Sequence, residues 1–162
     1  MLKKILITSA FGLCAINSSQ AEDLPKQSYL PLEIAQKAAN AAFNKCQKDG
    51  YRVSVAIVDN SGNLLTILRH PLAGPHTIGS SQGKAFTSAS MGQPTTNIAN
   101  MIGEKPSLAG LRDMDSRLVI LAGGLPITIS GDRVGGIGVG GAPGGHLDEA
   151  CAAEGLKAIS GS

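Results

Sequence analysis

The sequence predicts an α+β domain built on a mainly antiparallel sheet, with helices covering at least one face. Three observations carry this expectation. Apolar residues recur at helical spacing near both ends of the chain. Strand-like runs come in pairs joined by tight turns, which sets neighbouring strands antiparallel. Strands and helices do not alternate one for one, as they would around a parallel sheet.

The elements follow in order. Residues 22–29 have the composition of a flexible arm. Pro31 suits the first turn of a helix, and Leu32, Ala35, Ala38, Ala39, Ala42, Phe43 and Cys46 then share one face until Asp49-Gly50 stops it. Residues 52–58 and 63–68 are β-rich and flank the turn Asp59-Asn60-Ser61-Gly62, a hairpin. Pro71, Gly74 and Pro75 mark a loop. A helix is expected from about Thr77 to Met91, ended by Gly92 and Pro94, with a shorter one from about Thr95. Residues 103–116 read as irregular. Three strands are expected at 117–122, 126–130 and 133–139, the last two joined by Gly131-Asp132, before a final helix bearing Leu147, Ala150, Cys151 and Ala158. That makes five strands and a single domain over residues 30–162.

The first 21 residues read as a cleavable signal peptide. Met1-Leu2-Lys3-Lys4 is basic, residues 5–16 are mostly apolar, and Ser19 and Ala21 form the small-x-small site, so cleavage is expected between Ala21 and Glu22. The apolar run, about 12 residues, is shorter than the ~20 of a spanning helix. The chain is thus expected to be exported, periplasmic or secreted, without membrane insertion. Loss of Lys3 and Lys4 from the 14 basic residues balances the 12 acidic ones. A neutral chain without Trp has neither the charge nor the stacking platforms expected of a nucleic-acid binder.

Processing removes Cys14 and leaves Cys46 and Cys151, too far apart for a CxxC site. If the last strand pairs antiparallel with the first, the end of the first helix meets the start of the last one. The two cysteines are then either a disulfide, which would contribute roughly 2–4 kcal/mol, or two separately buried thiols.

Several motifs match on paper. Gly79-Ser80-Ser81-Gln82-Gly83 fits G-x-S-x-G, but that chemistry needs its serine on a turn leaving a strand, and a Pro/Gly loop precedes it here. Gly136-Ile137-Gly138-Val139-Gly140-Gly141 fits G-x-G-x-x-G, yet its glycines lie within a strand, where they would admit a close neighbour. The Gly140–Gly145 turn opens a helix whose free N–H groups suit an anion, unless Asp148 and Glu149 already satisfy them. His70 and His76 share a loop with Arg69, shortly before Lys84. One imidazole beside cations would suit haem, the nitrogen on iron and the cations on the propionates; the plain alternative is a surface loop histidine.

The runs Val55-Ala56-Ile57-Val58-Asp59-Asn60-Ser61-Gly62-Asn63-Leu64, Gly83-Lys84-Ala85-Phe86-Thr87-Ser88-Ala89, Ala122-Gly123-Gly124-Leu125-Pro126-Ile127 and Val134-Gly135-Gly136-Ile137-Gly138-Val139-Gly140-Gly141 resemble the GlcG/HbpS-like haem-binding family over nearly all of residues 30–160. The resemblance implies a profilin-like fold: a five-stranded antiparallel sheet with helices on its faces and the N- and C-terminal helices packed together. It also implies haem as cofactor, a homo-oligomer, and a possible membrane sensor partner. Arg69 and Lys84 match recurrent basic positions, and Thr95 follows Pro94 where secreted relatives carry a Pro-Thr pair. His70 and His76 lie outside the family pattern, and His76 is the candidate iron ligand specific to this chain. For Lys84 the alternative is a helix-surface or oligomer contact, and for Thr95 a helix N-cap. The expected function is haem capture or sensing outside the cytoplasm. No residue announces chemistry of its own, and the rivals are an enzyme acting on haem or another small molecule, or a scaffold without a ligand.

Overall fold

The computed structural model describes residues 23–160. The signal-peptide expectation therefore lies outside the described residues. Residues 23–29 carry no regular secondary structure and are exposed.

Helix α1 (Leu32–Lys48) starts after Pro31 and buries Ala35, Ala38, Ala39, Ala42 and Cys46 along one stripe. Strands β1 (Ser54–Asp59) and β2 (Leu64–Arg69) form the first hairpin. Its turn is tied by the Asp59 carboxylate, which accepts the N–H groups of Ser61 and Asn63 at 2.8 and 2.9 Å. Helices α2 (His76–Met91) and α3 (Thr95–Glu104) follow, then a 3-10 segment over Pro106–Asp113. Strands β3 (Gly124–Ile129) and β4 (Asp132–Gly140) form the second hairpin, and α4 (Gly145–Ile159) closes the described chain. The second turn is Ser130-Gly131, one residue earlier than expected, with φ of 52° and 88°. Both residues take the positive φ that a tight two-residue hairpin demands.

The strands are all antiparallel, in the order β2-β1-β4-β3. Among the described residues the sheet has four strands and not five. Residues 117–122 form no strand, because their polar groups turn to α2 instead of a sheet edge. The Val119 N–H donates to Thr87 Oγ1 at 2.8 Å. A Cβ on Gly83 would sit 2.3 Å from Val119 Cγ2 and 3.0 Å from the Arg117 carbonyl oxygen. The segment is apolar like a strand, but it turns at Arg117, sets Val119 against α2 and bends at Leu121 and Ala122 before β3.

Period-2 alternation sorts the two faces of the sheet. Val55, Ile57, Ile137 and Val139 join Ala35, Ala38, Ala42 and Ala152 in the main core, under α1 and α4. Ala56 and Val58 point the other way, to Ala85 and Ala89 of α2. On that same face β4 presents glycines. A Cβ at Gly136 or Gly138 would lie 2.3 or 2.1 Å from the carbonyl oxygens of Ala85 and Ser81. The glycine-rich run is thus the seat of α2, and its backbone approach leaves no room for a side chain. Ile98, Ile102 and Ile120 form a smaller core under α3.

The terminal helices α1 and α4 are in contact, and Cys46 and Cys151 join them in a disulfide with their Cα atoms 5.5 Å apart. Both cysteines are fully buried. Among the described residues no helix is long and apolar enough to cross a membrane.

Candidate functional site

Helix α2 has two faces with different tasks. At about 100° per residue, Thr77, Ser81, Lys84, Ala85 and Ser88 form one arc, and all are buried. Gly79, Gln82, Gly83 and Phe86 form the opposite arc and line a groove of about 270 Å³. Gly62 from the first hairpin turn and Ser116, Arg117 and Val119 from the segment before β3 complete its wall.

The floor is made of glycines for two reasons. Gly62 has φ of +82°, and a Cβ there would press 2.5 Å from the Phe86 ring. Gly79 is different: a Cβ there would meet nothing within 4 Å. A side chain at position 79 would therefore stand in the groove itself. The rim carries Arg117, whose guanidinium lies 4.0 Å from the Phe86 ring centroid. Asp115 grips it side-on, with Nε to Oδ1 at 2.9 Å and Nη2 to Oδ2 at 2.6 Å. The Arg117 fork in turn holds the Asp115 carboxyl down at about 2.

The sequence-predicted residues fall into two clusters. Arg69, His70 and His76 belong to the β2–α2 loop and its helix start. Arg69 ends β2 and donates to the Ala73 carbonyl oxygen. His70 Nδ1 accepts the Leu72 N–H at 3.0 Å. In a neutral His70 the proton then sits on Nε2, leaving no free lone pair for a metal. His76 is exposed and makes no hydrogen bond among the described residues. It sits one turn before Gly79, beside the end of the groove arc.

Lys84 and Thr95 form the other cluster, inside the protein. Lys84 Nζ lies 2.8 Å from Asp148 Oδ2 and donates to the Val139 carbonyl oxygen at 2.9 Å. Both side chains are about 95% buried. The other oxygen of Asp148 accepts the Ala142 N–H at 3.0 Å, so this acid satisfies part of the glycine turn at the start of α4. Burial pushes the Asp148 carboxyl above its ordinary value, and Lys84 and two backbone N–H groups offset only part of that push. Gly123, with φ of +118°, passes so close that a Cβ would lie 3.0 Å from Lys84 Nζ. Thr95 is fully buried and its Oγ1 accepts the Gly124 N–H at 2.9 Å. It ties the start of α3 to β3; Pro94 is the N-cap. Lys84 is thus neither on the helix surface nor in the groove: the helical repeat turns it roughly 150° away from the groove arc.

Sequence reasoning missed Gly62, Gly79, Phe86 and Arg117 as neighbours, since they come from three separate segments. It also missed Asp148 as the partner of Lys84. Ser81 is buried inside α2 with its hydroxyl on the Ile78 carbonyl oxygen, so the G-x-S-x-G match has no exposed nucleophile. Among the described residues no group of three or more His, Cys, Asp or Glu stands together to hold a metal ion.

Comparison with known proteins adds to this geometry. The family model described as haem degrading protein HbpS-like matches residues 30–157. The chain belongs to the HbpS-like family. A double mutant of Streptomyces reticuli HbpS shares 41% identity with it at a TM-score of 0.80, covering 91% of this chain and 98% of that one. A PduOC–haem complex shares 25% identity at a TM-score of 0.75, covering 82% of this chain and 96% of that one. Protein GlcG of Escherichia coli is 29% identical over 110 residues, 68% of this chain and 80% of the relative.

Proposed function

We propose that this HbpS-like protein binds haem in the α2 groove and acts outside the cytoplasm, capturing or sensing haem. The observation that carries the reading is membership of a haem-handling family with a solved haem complex at similar fold. The groove fits a flat, largely apolar ligand: a glycine floor with open space over Gly79, an aromatic wall at Phe86, and one cation at the rim. Its volume, near the lower end of ligand pockets, suits a ligand held by one face with part left outside. Bound haem would supply an iron centre, which a side-chain nitrogen of this chain would hold.

On this reading His76 is the iron ligand: it is exposed, its ring nitrogens make no hydrogen bond among the described residues, and it stands one turn before Gly79 on α2. Arg69 and His70, where β2 leaves for α2, are the further candidate contacts. Lys84 and Thr95, which sequence resemblance offered as haem contacts, instead hold α2, α3 and α4 against β3 and β4. Export rests on the leader-like residues 1–21, and the buried disulfide agrees with an oxidising compartment. The family resemblance adds a homo-oligomer and a membrane sensor partner to the reading.

The family description favours a second reading, haem breakdown. The polar side chains among the described groove-lining residues are Gln82, Ser116 and Arg117, which suit binding. Haem titration of residues 22–162 tests the proposal. The expected result is a Soret shift saturating at one haem per chain, altered in His76→Ala. No spectral change at micromolar haem, in either oxidation state, would refute it. Bleaching of bound haem with product under reductant would favour breakdown.

A further inference from the structure

We propose that Arg117 is the specificity residue of the groove and selects ligands carrying a free carboxylate. The inference rests on the groove being the haem site and names what that site reads beyond the iron. Among the described residues that line the groove, Arg117 is the one cation. Lys84, the lysine of α2, is committed to Asp148 and faces away.

The guanidinium is already placed for the task. The Phe86 ring supports its flat face at 4.0 Å, and Asp115 holds its Nε–Nη2 side. Five N–H donors in a fixed fork leave the Nη1–Nη2 end edge for a second carboxylate. On that edge Nη2 already gives one N–H to Asp115, and Nη1 makes no hydrogen bond among the described residues. The pair is also exposed, the Arg117 side chain at 61%. The Asp115 pairing and the Phe86 contact hold the guanidinium in place before a ligand arrives, which lowers the ordering cost of binding. The chemistry recognised is an apolar, planar body with an acidic edge. Haem, with its propionates, is one such molecule, and so is its metal-free counterpart.

Two probe pairs test this by fluorescence and absorbance titration: haem with haem dimethyl ester, and protoporphyrin IX with its dimethyl ester. The wild type is expected to bind each free diacid about tenfold tighter than its ester. Arg117→Gln should bring diacid and ester to within about twofold of each other, the diacid losing more than the ester. Arg117→Lys, which keeps the charge but loses the fork and the stack, should retain only part of it. Both variants change an exposed side chain, and unchanged thermal melting confirms that they fold. Equal affinity of diacid and ester in the wild type, or a diacid preference that survives in Arg117→Gln, would overturn the assignment while leaving haem binding intact. Binding of protoporphyrin IX but not haem, with the Arg117 dependence preserved, would instead remove the iron reading and support the carboxylate one. Binding of none of the four would overturn both.

Discussion

Single residues divide the two jobs of α2. Gly79 is a helix-interior glycine with nothing beside it, an arrangement that costs helix stability without any packing return. Gly79→Leu should therefore melt at the same temperature as the wild type or higher, by up to about 1 kcal/mol of added helix propensity, yet lose haem binding. Calorimetry and a haem titration on the same variant separate the two effects. Lys84 is the opposite case. Lys84→Met would strand Asp148 in the interior at a cost of about 3–5 kcal/mol, and Lys84→Met with Asp148→Leu should regain most of it by urea denaturation. The acids near the site respond to pH with opposite sign. The Asp115 carboxyl is lowered to about 2, so its share of stability is present above its ordinary 3.8 and lost as pH falls towards 2. The Asp148 carboxyl is raised, so its ionisation opposes folding as pH rises through its folded value, and protonating it does not drive acid unfolding. NMR titration of the two carboxyl carbons should show Asp115 still ionised at pH 4, with Asp148 titrating above the ordinary range.

Strand β4 shows how one element can serve two layers. Its apolar residues feed the main core, and its glycines let α2 lie directly on the sheet. Gly138→Ala would push a methyl to within 2.1 Å of the Ser81 carbonyl oxygen, and backbone cannot step aside as a side chain can. A loss of roughly 1–3 kcal/mol or more is expected, with weaker haem binding because α2 forms the groove. Denaturant unfolding of this variant beside Gly131→Ala, whose Cβ meets nothing, separates packing from strain at positive φ. The helices, both hairpins and the packing of α1 on α4 were legible in the sequence, because periodicity reports which face is buried. The sequence of 117–122 suggests a strand because an apolar run looks alike whether its N–H groups pair with a strand or, as at Val119, donate to Thr87 of a helix. The candidate groove was not legible: it is assembled from segments near Gly62, Gly79 and Arg117 that only tertiary packing joins. Lys84 was noticed as a charge in a motif, and nothing in the linear pattern shows that it points inward to Asp148.

Across the whole molecule, the sheet separates the disulfide from the groove. Cys46 and Cys151 lie among α1 and α4, on the opposite side of the sheet from the groove arc of α2. The bridge spans 105 residues, and closing a loop of that length contributes on the order of 4–5 kcal/mol. Changing both cysteines to alanine should lower stability by several kcal/mol in denaturant and leave haem affinity within about twofold. Everything proposed for α2 depends on haem sitting in the groove over Gly79. Haem titration of the wild type and Gly79→Leu in parallel decides this. A saturating Soret shift at one haem per chain is expected in the wild type and none in the folded variant; equal shifts in both would place haem elsewhere.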